Sequence, residues 1–584
     1  MKYLLTGVAA ITMLTACGQK DKPDDSAAPS GIVFSESKVP SFSVHKGDAG
    51  SAAAALAAMS LETPGSGNVT WGDRTLNGDK AVFTDVTIVT SAYEGDDEDE
   101  VSGLDGADLT VAKLELDGLA MQEGAPSFSR ILLSDMTFVP TDPEEAENGS
   151  GKIGSIELVN PSPETAGWVA SLFSEDEVPD LPEGDALAFD QWAVKDVDFR
   201  IDDPDGEQGT FTIGTIEVTG LKDQAAALMK LDGLTFDMTD PVEDTNMKFN
   251  LASVEMRGAD LGLLTDASED ASDPEEVSQM MNLAGQDPAN PGYESLTLNG
   301  FDMNLAGVKV DMPKLVSAVG RDKKNSVVAV KTEPFKVSLT TDEGKYGDQL
   351  AGQLAMLGYE TLELSGAGYQ TYDETTDLTT YVKGQNFWEL KEISREKRAD
   401  NRSREELLER AQQLNIEIPE DISDEELKAK VAARETGGFR IDFGAQYAGA
   451  KAMAAAETSD DPADVLGDTL DNMIIHDMEF SLVDNGFMDR ALNAYAAQSG
   501  QDPQEIRNQL TGMLAMAPMM AAGSGIDAEL LTEASTALSS FVSDPKTLTI
   551  KLAPAEPLAM STLAEMEDPS ALTKESLGFS AANE

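Results

Sequence analysis

One cysteine, Cys17, stands in 584 residues, and a single thiol can form no internal disulfide. Histidine is nearly as scarce. His45 and His476 are the only imidazoles, which leaves little for metal ligation or acid–base work. Basic residues are few: 42 Lys and Arg stand against 106 Asp and Glu, a formal charge of −64. Such a chain repels phosphate backbones, which argues against a nucleic-acid partner, and most of its surface is unattractive to anionic headgroups. After Leu14 no apolar run is long enough to cross a bilayer. GxSxG, HExxH, P-loop and Rossmann fingerprints are all missing from believable contexts. The acidic runs EGDDEDE (94–100) and EDASDPEE (269–276) lack EF-hand spacing, so no metal or other cofactor is assigned.

What is present begins at the first residue. Lys2 precedes an apolar run from Tyr3 to Leu14, too short for a comfortable span and shaped like a signal peptide, residues 1–16. It ends in Leu14-Thr15-Ala16-Cys17, which resembles the bacterial lipobox. The resemblance implies that Cys17 is acylated and becomes the first mature residue. Acylation would also account for the lone thiol. Residues 17–31 are polar and contain Pro, a composition that predicts a disordered tether. Gly18 after the cysteine implies, by resemblance to the enteric sorting rule, the outer membrane. The chain is thus expected to be an exported lipoprotein facing the periplasm or cell surface. Its acidity reads as solubility in a salty medium, with divalent cations or a basic partner as the alternative.

The body is marked by a recurring phrase. GYESLTLNGFDMN (292–304) returns as GYETLELSGAGYQ (358–370). Leu296 and Leu298 alternate with polar residues, as in a half-buried strand, but after Gly300 the apolar parity shifts to Phe301 and Met303. Two devices restore the facing: a β-bulge, or a tight hairpin turn. The form apolar-x-apolar-x-[G/D]-apolar-x-apolar recurs around Asp85, Gly118, Asp135, Asp196, Gly220, Gly233, Gly258, Gly300, Gly366 and Asp477. Thr-Asp, Lys-Asp and Ser-Asp are poor hairpin turns, so kinks within long strands fit the set better. The spacing of Gly233, Gly300 and Gly366 predicts a unit of about 66 residues, a helix followed by kinked strands, stacked in line.

A different segment, 391–436, interrupts this pattern. Leu407, Leu408, Ala411 and Leu414 mark one amphipathic helix, and Ser423 with Glu426 opens another through a capping box. EELLERAQQLNIEIPEDISDEELKAKV resembles small helix–loop–helix modules of the HeH and SAP-like type. A solvated hairpin laced with ion pairs is the plainer reading, and contact with another protein the functional one. The β-rich body therefore covers 32–390 and 437–485. Residues 486–584 turn helical and close on a strand, KTLTIKLAP (546–554). Met513, Met516, Met519 and Met520 cluster there, as core filler, as an adaptable apolar pocket, or as ligands for Cu(I). His476 neighbours Asp477, which suggests a hydrogen bond rather than a catalytic pair, since no nucleophile accompanies it.

The expected fold is α+β and β-dominated: an elongated, repetitive antiparallel sheet with bulged strands, short packing helices and a helical C-terminal part. Phrases such as LELDGLAM and LTLNGFDM, in an exported chain, resemble the AsmA- and YdgA-like group of bacterial envelope proteins. That resemblance implies a β-rich body and, for some relatives, contact with lipids. No enzymatic activity is expected. The function expected is a binding or structural role in the cell envelope, with apolar ligands or lipid held along a β groove and the membrane reached through the N-terminal lipid. Lipid or another envelope protein is the expected partner. A secreted hydrolase using two carboxylates, or an acidic surface scaffold or adhesin, is the alternative.

Overall fold

A computed structural model describes residues 31–34, 38–89, 107–140, 149–174, 179, 181–202, 208–240, 245–262, 287–392, 402–413, 416, 418–419, 422–451, 472–521, 526–561 and 573–584. Cys17, the tether up to residue 30, both acidic runs and the helix-like stretch 275–285 lie outside these residues, as does 461–471. The chain forms two compact units. The N-terminal unit comprises residues 36–269 and 292–306; the C-terminal unit comprises 1–35, 270–291 and 307–584.

The N-terminal unit carries helix α1 (Ala52–Ala58) and strands β1 (Val69–Thr70), β2 (Asp73–Asn77), β3 (Lys80–Ile88) and β4 (Ala107–Asp117). The hairpin β5 (Ala120–Gln122) and β6 (Ala125–Ser127) follows, then β7 (Arg130–Pro140), β8 (Gly149–Val159) and helix α2 (Pro163–Ser171). Strands β9 (Phe189–Asp202), β10 (Gln208–Lys222), β11 (Ala225–Asp240), β12 (Thr245–Asp260) and β13 (Ser295–Leu305) complete it. The topology is a meander. β1 and β2 pair with β3, and β3, β4, β7, β8, β9, β10, β11, β12 and β13 then pair in turn, all antiparallel. The alanine-rich run AAAALAA favours helix without side-chain entropy cost. In α2, Pro163 sits at the first turn and the Ser162 hydroxyl accepts from the Thr165 amide at 3.1 Å. Both helices contribute to a core with Leu56, Met59, Phe83, Leu114, Phe128 and Met136.

The long strands do not run straight. Asp85, Asp135, Asp196, Gly233 and Gly300 have φ of 52, 52, 55, 65 and 60°, the left-handed region that L side chains avoid. They sit on β3, β7, β9, β11 and β13. Between them β4, β8, β10 and β12 present Ala112, Gly154, Gly214 and Ala252. In each ladder the register is the same on either side of the kink; Ile153 faces Val197 and Ser155 faces Lys195, leaving Gly154 opposite Asp196. The nine residues therefore form one crease across the whole meander. Facing is restored on crossing it: Ala81, Phe83, Val86 and Ile88 of β3 are all buried, with a step of three rather than two at Asp85.

A second crease lies six residues farther along each strand. Here the left-handed residues are on the other strands: Gly118 (70°), Asn160 (48°), Gly220 (66°) and Gly258 (58°). Residues 40–47 run beside it. The Asn160 amide accepts from His45 N–H at 3.1 Å and donates to the Ser43 carbonyl at 3.0 Å, and Asp79 accepts from Gly47 N–H at 2.8 Å.

The C-terminal unit pairs β14 (Val308–Arg321) with β15 (Val327–Thr341) and β15 with β16 (Leu362–Asp373), after helix α3 (Lys345–Met356). β16 then pairs with both β17 (Leu378–Tyr381) and β18 (Phe387–Lys391). Helices α4 (Arg404–Gln413) and α5 (Asp424–Thr436) precede β19 (Gly438–Ala448), which pairs with β17, β18 and β20 (Ile474–Asn485). Helices α6 (Phe487–Ser499), α7 (Pro503–Met520) and α8 (Ala528–Ser543) lead to β21 (Thr547–Leu552) and β22 (Leu558–Ala559), both on β20. The short helix α9 (Lys574–Leu577) and β23 (Ser580–Asn583), paired with β21, end the chain.

The fold class read from the sequence stands: β-dominated, antiparallel, with bulged strands and helices gathered towards the C-terminus. The basis of the recurring phrase differs from the expectation. Eight of its ten centres are left-handed, but Gly366 and Asp477 are not. At Gly366 the bulge lies on the partner strand, between Thr332 and Phe335, where Pro334 has no ladder bond to donate. Gly366 is small because an added Cβ would come 2.9 Å from the Phe335 ring, which packs edge-on to Trp388. At Asp477 the register slips beside His476, so that Gln446 faces Asp477 and Tyr447 faces Ile475. The near-identical phrases thus serve different backbone shapes. Nor is the crease spaced by a constant module, since 37 residues separate Asp196 from Gly233 and 67 separate Gly233 from Gly300.

Candidate functional site

Restored facing makes one side of the N-terminal sheet apolar along its entire length. In β9 to β13 the cross-strand partners form ladders. Trp192, Val218, Met229, Met256 and Leu296 make one, and Val194, Ile216, Leu231, Val254 and Leu298 the next. Beyond the crease, Leu234, Leu251 and Phe301 oppose one another, followed by Phe199, Phe211, Phe236, Phe249 and Met303. The last rung holds Ile201, Gly209, Met238, Met247 and Leu305. Aromatic rings touch across it, Phe138 with Phe199 at 5.5 Å and Phe249 with Phe301 at 5.4 Å between centroids.

The same face has two fates. Over β3, β4, β7 and β8, α1, α2 and the β5–β6 hairpin belong to the core that buries it, and that core reaches only as far as Phe189 and Trp192. Past the crease on β9 to β13, Phe199, Phe211, Phe236, Phe249, Phe301, Met238, Met247 and Met303 are all half-buried, and Ile201 is 49 % exposed. A closed core would bury a phenylalanine ladder fully. Soluble proteins rarely leave so large a contiguous apolar surface without a use for it.

The opposite face is polar. Lys195, Thr215, Asp232, Ser253 and Asn299 form one rung, and Asp198, Thr212, Thr235, Asn250 and Asp302 another. Ion pairs tie it together, Lys230 with Asp232 at 2.5 Å and Lys248 with Asp237 at 2.6 Å. A concavity of about 650 Å³ follows the crease there, lined by Asp135, Lys152, Asp196, Asp198, Thr212 and Gly214 among others. Its lining holds no histidine, cysteine or serine.

The residues singled out by sequence lie apart from the apolar face. His45 is exposed on the segment 40–47. His476 is at the bulge of β20 in the other unit, and its neighbour Asp477 lies 3.5 Å from Lys551. Met513, Met516, Met519 and Met520 are exposed on α7, which removes the core-filling reading. No group of three or more His, Cys, Asp or Glu able to hold a metal occurs among the described residues.

The 391–436 insertion packs on its own small core of Leu407, Ala411, Ile422, Leu427 and Val431, and the Ser423–Glu426 capping box is formed. Ion pairs fasten it. Arg434 of α5 reaches the nearly buried Asp484 at 2.6 Å and Asp489 at 3.1 Å, and Glu435 holds Arg402 at 2.9 Å and Arg410 at 2.7 Å. Gly437 ends α5 in a left-handed cap against Arg490. This is anchoring geometry, with the charges paired.

The phenylalanine ladder has a signature in the sequence. A phenylalanine lies three residues from the crease on five strands: Phe138 after Asp135, Phe199 after Asp196, Phe236 after Gly233, Phe211 before Gly214 and Phe249 before Ala252.

No curated protein matches the chain, and no solved structure does. Residues 431–584, from α5 through the C-terminal helices to β23, match a family model described only as an uncharacterized protein.

Proposed function

We propose that this is a lipid-anchored protein of the bacterial cell envelope that binds, without chemistry, the hydrocarbon part of lipids on the apolar face of β9 to β13. The supporting observation is that face itself: five apolar ladders on five adjacent strands, of which the three beyond the crease are largely half-buried and lie outside the cores that cover Trp192, Val218, Met229 and Met256. From Leu251 to Met247, beyond the crease, the strand advances four residues, about 13 Å, close to the depth of hydrocarbon in one leaflet. Five strands give a width of about 19 Å between the outer backbones, room for more than one chain side by side. The polar reverse face keeps the sheet soluble while the apolar face is loaded. Acylation at Cys17 would hold the protein at the membrane, in the outer membrane by the residue that follows it.

The test is extraction of the purified protein and mass spectrometry of what comes with it. Stoichiometric lipid, lost in the Phe236→Asn/Phe249→Asn variant, is the expected result. Those rings are half-buried, so the variant should stay folded, which circular dichroism checks. Protein free of lipid over several preparations, and unable to take up a fluorescent fatty acid, would refute the reading and leave a scaffold role.

A further inference from the structure

Helix α7 carries a second apolar surface, in the other unit. Residues 508–526, NQLTGMLAMAPMMAAGSGI, contain no charged residue, and at 19 residues this is the longest uncharged run in a chain that is one quarter charged. Its described residues are not buried. Met513 is 62 % exposed, Met516 51 %, and Met519 and Met520 both 77 %, with Leu510 at 38 %. Exposure is greatest at the C-terminal tip of the helix.

The neighbouring chemistry narrows what such a surface meets. Arg507, the last charge before the run, is held by Asp489 at 2.5 Å and by the Val542 carbonyl at 2.5 Å. Asp527, the first charge after it, caps α8 and accepts from the Lys574 amide. The groove between α7 and α8 is lined by hydroxyls and small side chains: Thr511, Ala515, Thr532, Ser535, Thr536 and Ser539. A protein-docking surface would be expected to offer Trp, Tyr or Arg anchors and a charged rim. This one has flexible thioethers surrounded by hydroxyls. Interfacial helices divide in a similar way: those with Lys and Arg seek anionic lipid, whereas those without rely on inserting apolar side chains. A chain of formal charge −64 is repelled by an anionic surface, and the helix's one cation, Arg507, is already paired with Asp489.

We infer that the methionine face of α7 inserts into the surface of an uncharged, loosely packed lipid bilayer. Unbranched methionine side chains adapt to irregular gaps between acyl chains as they do to irregular cores. The contact is independent of the apolar sheet face and of any acyl group at Cys17.

Vesicle flotation tests it, with a chain from Gly31 to Glu584, which keeps every described residue and lacks Cys17. Small dioleoylphosphatidylcholine vesicles should carry the protein upward. Met519→Asp/Met520→Asp should lower the partition coefficient about tenfold or more, since two largely exposed side chains lose their burial in hydrocarbon. Met519→Leu/Met520→Leu should stay within about twofold of the parent, as volume and polarity are kept. Replacing half of the lipid by phosphatidylglycerol should weaken binding at low salt. Met519→Asp/Met520→Asp should keep any co-purifying lipid at the parent's level, which separates this contact from lipid held on the sheet. Parent protein that stays at the bottom, or aspartate variants that float equally well, would overturn the inference. So would self-association that the aspartates abolish while vesicles bind nothing.

Discussion

Replacing Gly300 by aspartate tests why the crease alternates as it does. The left-handed backbone alone does not demand glycine, since Asp85, Asp135 and Asp196 adopt it on neighbouring strands. Space is the difference. A Cβ added at Gly300 would lie 2.8 Å from the Cβ of Ala252, and one added at Gly154 would lie 2.8 Å from the Cβ of Asp196. At Gly72 the distance to the Asp85 Cβ would be 3.2 Å. Each of these contacts has room for one Cβ. Gly300→Asp should therefore cost about 1 kcal/mol for the left-handed backbone and about 1–3 kcal/mol more for the overlap. Ala252→Gly alone should cost about 0.5–1 kcal/mol through chain entropy. In the double variant the overlap disappears, so the pair should be about 1–3 kcal/mol more stable than the sum of the singles. Gly233→Asp is the control, because its nearest obstruction is the Gly214 nitrogen at 3.4 Å; it should cost about 1 kcal/mol.

Native-state hydrogen exchange of peptides from β12 and β13 is the suitable assay, because it reports local opening in a chain too large for a single unfolding transition. The coupling would appear as about a tenfold rescue of protection. Additivity of the two single variants within about 0.5 kcal/mol would refute the shared-space argument.

Two further outcomes follow from the ion pairs. Glu115 is hydrogen-bonded by Lys113 and Lys80, in that order of importance, and its carboxyl is held at about 2 instead of the ordinary 4.5. A depressed carboxyl stabilises the fold above its unfolded value, and the contribution is lost as pH falls from about 4.5 towards 2. Both lysines are more than 40 % exposed, so solvent screening leaves about 1–2 kcal/mol of the shift as stability. Glu115→Gln should flatten the acid limb of β3–β4 stability, followed by urea-dependent proteolysis of those strands, between pH 6 and pH 2, and an unchanged limb would assign acid sensitivity elsewhere. Arg434→Ala should loosen the 391–436 insertion by about 2–3 kcal/mol, because Asp484 keeps its bonds from the Gly486 and Met488 amides but loses its cation. Faster limited proteolysis within 391–436, with β19 and β20 still protected, is the expected reading; uniform resistance would show that the pairing does not anchor the helices.

The sequence discloses the first crease and hides the second for a physical reason. A kink in mid-strand breaks the alternation of apolar residues, so Asp85, Asp135, Asp196, Gly233 and Gly300 announce themselves by the parity change around them. The second crease lies near strand ends, where alternation stops anyway. Gly118, Gly220 and Gly258 still carry the phrase, but Asn160 stands in VNPSP, before the prolines and the α2 cap, and reads as an ordinary loop. The partners Ala112, Gly154, Gly214 and Ala252 are invisible in one dimension, since a small residue signals only through what packs against it. Gly366 shows the converse failure. Its phrase almost repeats that of Gly300, yet its neighbours are the Phe335 and Trp388 rings, so the same letters yield to a different constraint. The candidate site was hidden in the same way. Phenylalanines scattered from residue 138 to residue 249 become a ladder only when the crease fixes register across the strands. Repetition every two strands, rather than every 66 residues, is what places them side by side.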